Sequence, residues 1–501
     1  MGFRGFGVAV LVTCCALAGM VRAQDVTLTA RDGGLALDGV LLGWDGEFYR
    51  IDTSYGPLTV DGQGVICDGP GCPDLTAPKA QVRLVGEAGP GQALTGPLVA
   101  AFAAARGLDA VTDGVVTWLV ERAGGQVLAE FSFEPMAHDA ALAALAAGRA
   151  ELVVSVGTAP DFGARVLAMD ALVPVAAPDN PLAKIASVDL ARVLSGEVSN
   201  WAEVGGPDMP LVLHGLAPGS GVADALAARL GRDVAATKVH GDLAALADAV
   251  ARDPWAIAVT TRGAAGKAKP LLLTDKCGFP LLPSSLAVKA EDYPLALPLH
   301  LLTPRRRLPL MAREFLEFLA LPDAQAAISA AGYVDRGPER QALTGDGLRL
   351  MNAIAGAGEE TSLDDLKRLV GAMDGAERVS LTFRFEDGSS TLEAASQENL
   401  TDLARMLDAG LFRNESLVLA GFSDGSGAAA ANLALSQSRA KAVRDALAAV
   451  VAPDTALPEV MAFGEAMPMA CDETTAGRRL NRRVELWVRP AMAKGDPAPE
   501  N

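Results

Sequence analysis

The stretch GFSDGSGAAAANLALSQSRAKAV, residues 421–443, runs from an apolar strand end through a glycine-rich turn into a helical, alanine-rich segment. Glycine accepts the positive φ of a tight turn, so the chain reverses here. One acid, Asp424, sits in the turn, and one base, Arg439, lies well inside the helix. A helix that folds back over the strand end brings both charges to one cleft.

The flanking pattern is regular. RVSLTFRFEDGSSTL (378–392) begins as a strand, and SQENLTDLARMLDAG (396–410) follows as a helix with apolar Leu400, Leu403 and Leu407. Then come the strand SLVLAGFSD (416–424), the long helix from Ala430 to about Val451, the strand VMAFGEAMP (460–468), and GRRLNRRVELWV (477–488) ending in a strand. This order, with Asp424-Gly425-Ser426-Gly427, Asn432 before LSQSRA, and GRRLNRRVE at 477–485, resembles the OmpA-like peptidoglycan-binding domain. The resemblance implies a βαβαββ domain over 378–490. It also implies peptidoglycan as partner, with Asp424 and Arg439 as the pair that receives the ammonium and carboxylate of diaminopimelate. Asn432 would add an amide hydrogen bond, and Arg482 or Arg483 would reach the glycan or stem, or else brace the terminal strand. The alternative for Asp424 and Arg439 is a surface salt bridge worth under about 1 kcal/mol.

From about 80 to 337 short apolar strands alternate with alanine- and leucine-rich helices: VRLVG, LVAAFAAARG, ALAALAAG, AELVVSVG, ALVPVAA, LARVLSG. Such alternation predicts an α/β domain with a mostly parallel sheet covered on both faces. Ligands in these folds bind beside helix N-termini, and GEAGPG (86–91), SVGT (155–158) and PGSG (218–221) are candidate loops. The segment 171–213 carries Asn180-Pro181, Leu194-Ser195-Gly196, Asn200-Trp201 and Gly205-Gly206, and agreement continues in PWAIAV (254–259) and 308–334. These motifs resemble the periplasmic phosphate-binding proteins of ABC transporters, which implies two lobes, a hinge and a small anion in the cleft.

The donors for such an anion are largely missing. A desolvated oxyanion needs nearly every lone pair matched by hydroxyl, backbone N–H or arginine donors. The first loop offers Glu87, Ala88, Gly89 and the N–H-less Pro90, and the second has Asp139. The third keeps Ser155 with Gly157 but lacks an arginine. The fourth has Leu216 and Val222 around the surviving Ser220 and Gly221. The expectation is a degenerate anion site, turned to another ligand or to protein contact. If Glu87 and Asp139 both line the cleft, it favours a cationic or amine-bearing ligand.

Residues 24–77 alternate apolar and polar side chains between RDGG, WDGE and VDGQG turns, the pattern of a small β-module. Its CDGPGC loop reads as a Cys67–Cys72 disulfide, because no further cysteine or histidine stands nearby to complete a metal site. Cys277 and Cys471 fall in different predicted domains, and their pairing stays open. The four histidines are scattered through the sequence, and neither a zinc site nor a histidine-based catalytic cluster is visible.

Residues 1–23 combine Arg4, an apolar run and a small residue at Ala23, which is the order of a secretory signal peptide. Export to the periplasm, with association to the cell wall or outer membrane, is therefore expected, and no later stretch is apolar enough to cross a bilayer. The formal charge of −18 argues against nucleic acid as a partner. Residues 338–377 read as an acidic, partly helical linker and 491–501 as a disordered tail. The sequence offers no cofactor motif and no nucleophile–base pair. The expectation is a non-catalytic protein tethered to peptidoglycan and displaying a binding domain. The competing expectation is the phosphate or small-anion component of an ABC transport or sensing system.

Overall fold

The computed structural model describes residues 26–44, 47–72, 80–355, 357, 361–386, 389 and 391–490. The signal-peptide and tail expectations lie outside these residues.

The N-terminal module is a five-stranded antiparallel sheet in the order Gly56–Asp61, Phe48–Thr53, Ala36–Trp44, Val26–Ala30, Val65–Asp68. Its small core of Val26, Leu28, Tyr49 and Ile51 is closed at one end by the Cys67–Cys72 disulfide. A core this small needs such a staple. The module also leans on the next domain, where Arg313 pairs with Asp61 at 3.2 Å.

The middle domain has two lobes with separate cores. Phe102, Phe131 and Phe315 centre the first, and Trp201, Ile257 and Tyr293 the second. The two are joined by long strands. Gly163–Ala176 pairs with Ala296–Thr303 along its first part and with Ala256–Thr261 along its last five residues, so it crosses from one lobe to the other. Inside each lobe the central strands run parallel, as Ala80–Gly86 does with Leu152–Ser155 and with Val127–Pro135, while Leu108–Asp113 and Val116–Glu121 add antiparallel pairs at the edge of the first. The crossing strands run antiparallel, so the sheet is mixed rather than mostly parallel. The helical segments fall where the alanine- and leucine-rich runs predict them, at Ala88–Ala105, His138–Ala146 and Ser187–Leu194.

The C-terminal sheet has the order Arg340–Ala342, Glu377–Arg384, Arg483–Pro490, Glu415–Phe422, Glu459–Ala462. Helices Ala394–Asp408 and Ala429–Ala448 cover one face. The expected linker is a folded part of this domain. Its residues 340–342 form the edge strand, and its helices Gly347–Ala355 and Leu363–Met373 bury Ala353, Leu366, Leu369 and Met373 against Val418, Phe422 and Trp487 on the other face. The reading of a connector missed this because the sheet needs apolar cover on both sides, and only these helices supply the second.

Middle and C-terminal domains meet through buried charge. Asp292 takes Arg378 at 2.6 Å and Arg384 at 2.7 Å, all three being fully buried. Arg384 also donates to the carbonyls of Ala290 and Glu291. Those contacts hold Glu291 at φ 55°, a left-handed conformation that costs a non-glycine residue about 1–2 kcal/mol. On the far side Glu485 accepts from Arg483 at 2.7 Å and Arg349 at 2.6 Å. Burial alone would raise the Glu485 carboxyl, but Arg349, Arg378 and Arg483 hold it well below the usual carboxylate range. Beside this network Cys277 and Cys471, 5.6 Å apart at Cα, form a disulfide between the two domains, and Asp275 accepts from the Cys471 N–H.

Removing one partner of a buried pair leaves an uncompensated charge, at about 3–5 kcal/mol. Asp292→Ala is therefore expected to lower the thermal midpoint sharply, measured by calorimetry, and a change under about 1 kcal/mol would contradict the network's role. Glu485 contributes stability that is complete above its ordinary value of 4.5 and lost as pH falls below it. Acid unfolding of Glu485→Gln should accordingly be less steep than that of the parent.

Candidate functional sites

In the C-terminal domain the strand Glu415–Phe422 delivers Asp424 to the rim of the sheet. Asp424 Oδ1 accepts from the Ser426 N–H at 3.0 Å, which fixes the turn, and Oδ2 accepts from Arg482 at 3.1 Å. Helix Ala429–Ala448 presents Asn432, Ser436 and Arg439 on one face, as positions i, i+4 and i+7 must. It packs so closely that a Cβ on Gly421 would lie 2.1 Å from the Ser436 carbonyl oxygen. Glycine at 421 is what brings Arg439 down onto the strand.

Arg439 is 2% exposed, with its guanidinium 5.5 Å from the Phe385 ring centre. Among the described residues its Nε and one terminal nitrogen have no hydrogen-bond partner, and neither does the buried amide nitrogen of Asn432. Burial and the charge of Arg482 lower the Arg439 pKa, against the pull of Asp424. A surface salt bridge between Asp424 and Arg439 is excluded by this geometry, since both are buried and Asp424 bonds Arg482. What the pocket offers is an oriented acid beside unsatisfied guanidinium and amide donors. It can take a group that carries a cation and a carboxylate together.

Arg482 and Arg483 part company. Arg482 joins the site through Asp424, while Arg483 is wholly buried, bonded to Glu485, Asn481 and Met467, and lies 4.3 Å over Phe422. Burial pulls its pKa down to about 10. Arg483 therefore braces the terminal strand and does not reach a glycan, which corrects one half of the expectation from NRR. Asp472 and Glu465, missed in the sequence, crowd Gly425, where a Cβ would meet either carboxylate at 2.7 Å.

The middle-domain cleft holds a cavity of about 380 Å³ lined by Glu87, His138, Val156, Gly157, Gly221, Asp224, Arg229 and Pro298, among others. Three of the expected residues, Glu87, Gly157 and Gly221, are there. Ser155 is buried just behind, its hydroxyl 2.9 Å from His138 Nδ1 and accepting from the Gly157 N–H. Ser220 caps its own helix by accepting from the Ala223 N–H. Gly89 and Asp139 are exposed and stand outside the lining, so the acidic pair expected there does not form. His138, one residue earlier, faces inward instead, and Asp224 and Arg229 join it from the Gly221–Leu230 helix. Helical spacing from Gly221 could have found both. Arg229 donates to the carbonyls of Ala225 and Ala296.

Two of the four histidines, scattered in the sequence, pair up elsewhere in the fold. His214 lies between His240 at 3.1 Å and Asp253 at 3.3 Å on the second lobe. Burial lowers the His214 pKa.

A two-lobed binding-protein fold joined to a small sheet domain with a charged rim pocket is the class these features define. Residues 384–482 match the OmpA family, and residues 115–323 match the PBP superfamily domain. Outer membrane porin F of Pseudomonas aeruginosa is 32% identical over 111 residues, which are 22% of this chain and 31% of that protein. The phosphate-binding protein PstS of Borreliella burgdorferi is 44% identical over 43 residues, 9% of this chain and 15% of that protein. The chain thus spans under a third of each of these relatives. An ABC-type phosphate transport receptor from Vibrio cholerae superposes with a TM-score of 0.41 at 17% identity, over 50% of this chain and 99% of that one. No helix among the described residues is long and apolar enough to cross a membrane.

The two arginines separate by experiment. Arg483→Ala should destabilise the fold by several kcal/mol, because it leaves the Glu485 network short of one charge. Arg482→Ala should cost less, because Asp424 at the rim keeps the Ser426 N–H, and equal losses of stability would contradict the division.

Proposed function

We propose that the chain is a non-catalytic periplasmic protein held non-covalently at peptidoglycan by its C-terminal domain, and that it displays a binding-protein-like domain with a degenerate anion site. The carrying observation is the Arg439 guanidinium, buried with two nitrogens unsatisfied beside Asp424 and Asn432. An uncompensated buried cation costs several kcal/mol unless a ligand carboxylate completes it. Diaminopimelate in the peptide stem carries a carboxylate and an ammonium on one carbon, so the carboxylate would meet Arg439 and the ammonium Asp424. Arg482 sets the orientation of Asp424 and adds a second positive charge at the rim.

Sedimentation of the full mature chain with purified sacculi tests this. Asp424→Ala and Arg439→Ala each remove a charge-assisted contact worth about 1.5–3 kcal/mol, so retention should fall on the order of 10- to 100-fold. Undiminished sedimentation of both variants would overturn the assignment.

For the middle domain the reading is that inorganic phosphate is not the ligand. The cavity pairs Arg229 and His138 with two carboxylates, Glu87 and Asp224, that repel an anion. Calorimetric titration of the full chain with phosphate is expected to give no saturable heat, and micromolar binding would restore the transport reading.

A further inference from the structure

The backbone N–H groups at the start of a helix form a seat for negative charge, and the seat at Gly221–Leu230 is already taken. Glu87 reaches it from the other lobe. Its backbone N–H is bound to the Val154 carbonyl at 2.9 Å, which anchors it to the first lobe, and its carboxylate lies against Gly221 on the second. The approach is close. A Cβ on Gly221 would lie 2.4 Å from Glu87 Oε1 and 2.7 Å from Val156 Cγ2, so only glycine admits the contact. Although Glu87 stands at the N-cap of its own helix, its side chain makes no capping bond there. It is directed across the cleft instead.

We propose that Glu87 is a built-in ligand: its carboxylate occupies the seat on Gly221 and holds the two lobes closed without any bound molecule. The contact lies between segments joined by the crossing strands Gly163–Ala176 and Ala296–Thr303, so a single bond here acts at the mouth of the hinge. The other charged groups facing the cavity are Asp224 and Arg229 on the same helix and His138 opposite. Burial raises the Glu87 carboxyl, Asp224 adds to that, and the Gly221 N–H opposes it. A neutral side chain of the same shape keeps the approach to Gly221, because its amide oxygen takes the place of a carboxylate oxygen. The consequence is a middle domain that presents its closed surface constantly, as a contact module does.

The inference rests on the reading of the cleft as a degenerate anion site, and the test separates the two. Spin labels at Asp139→Cys and Asp248→Cys, on exposed helical positions of the two lobes, report the interlobe distance in the oxidised full chain, whose described native cysteines are paired. The parent and Glu87→Gln should give one narrow distance, unchanged by millimolar inorganic phosphate. Glu87→Ala, and independently Gly221→Ala, should add a longer distance in a substantial fraction of molecules. Narrow, unaltered distributions in both alanine variants would refute the latch and leave the degenerate-site reading standing. A broad parent distribution refutes the latch too, and if phosphate narrows it, both readings fail together.

Discussion

Two carboxylates, Asp292 and Glu485, sit between four arginines where the middle and C-terminal domains join, and the arrangement of both domains depends on them. Arg378 touches both acids, at 2.6 Å and 3.5 Å, so the two domains share one charge network rather than a polar seam. Buried ions are costly to desolvate, and such a set persists only when every member is matched. The Cys277–Cys471 disulfide closes the same junction covalently. The second lobe of the middle domain is thereby fixed to the C-terminal domain.

That rigidity gives the charged pocket its physical contrast. At the junction each arginine has a carboxylate of the chain within 2.7 Å, although among the described residues the Nε of Arg349, Arg378 and Arg384 is itself without a hydrogen-bond partner, whereas Arg439, equally buried, is left with two open nitrogens. The same strand ends serve both purposes. Neighbouring arginines 482 and 483 point to opposite fates because successive side chains along the start of a strand face opposite sides.

Much of this was legible in the sequence, where local signals are strong. The turn at 424–427, the period of the long helix and the CDGPGC loop each depend on nearby residues alone, and the fold followed them. What stayed hidden depends on contacts distant in sequence. Cys277 and Cys471 are 194 positions apart, and nothing local distinguishes a pair from two single thiols. Asp139 misses the cleft and His138 lines it because a one-residue step on a helix turns a side chain by about 100°, which a loop resemblance does not resolve. Residues 338–377 looked polar enough for a linker because only one stripe of each helix is apolar, which is what covering a sheet requires.

The central claim is that the Asp424–Arg439 pocket recognises an ammonium and a carboxylate on one carbon. Calorimetry with soluble muropeptides that differ only at the third stem residue tests it most directly. Saturable binding of the diaminopimelate form is expected, with at least tenfold weaker binding of the lysine form, whose side chain ends in an ammonium with no carboxylate. Equal affinity for the two, or none for either, would contradict it.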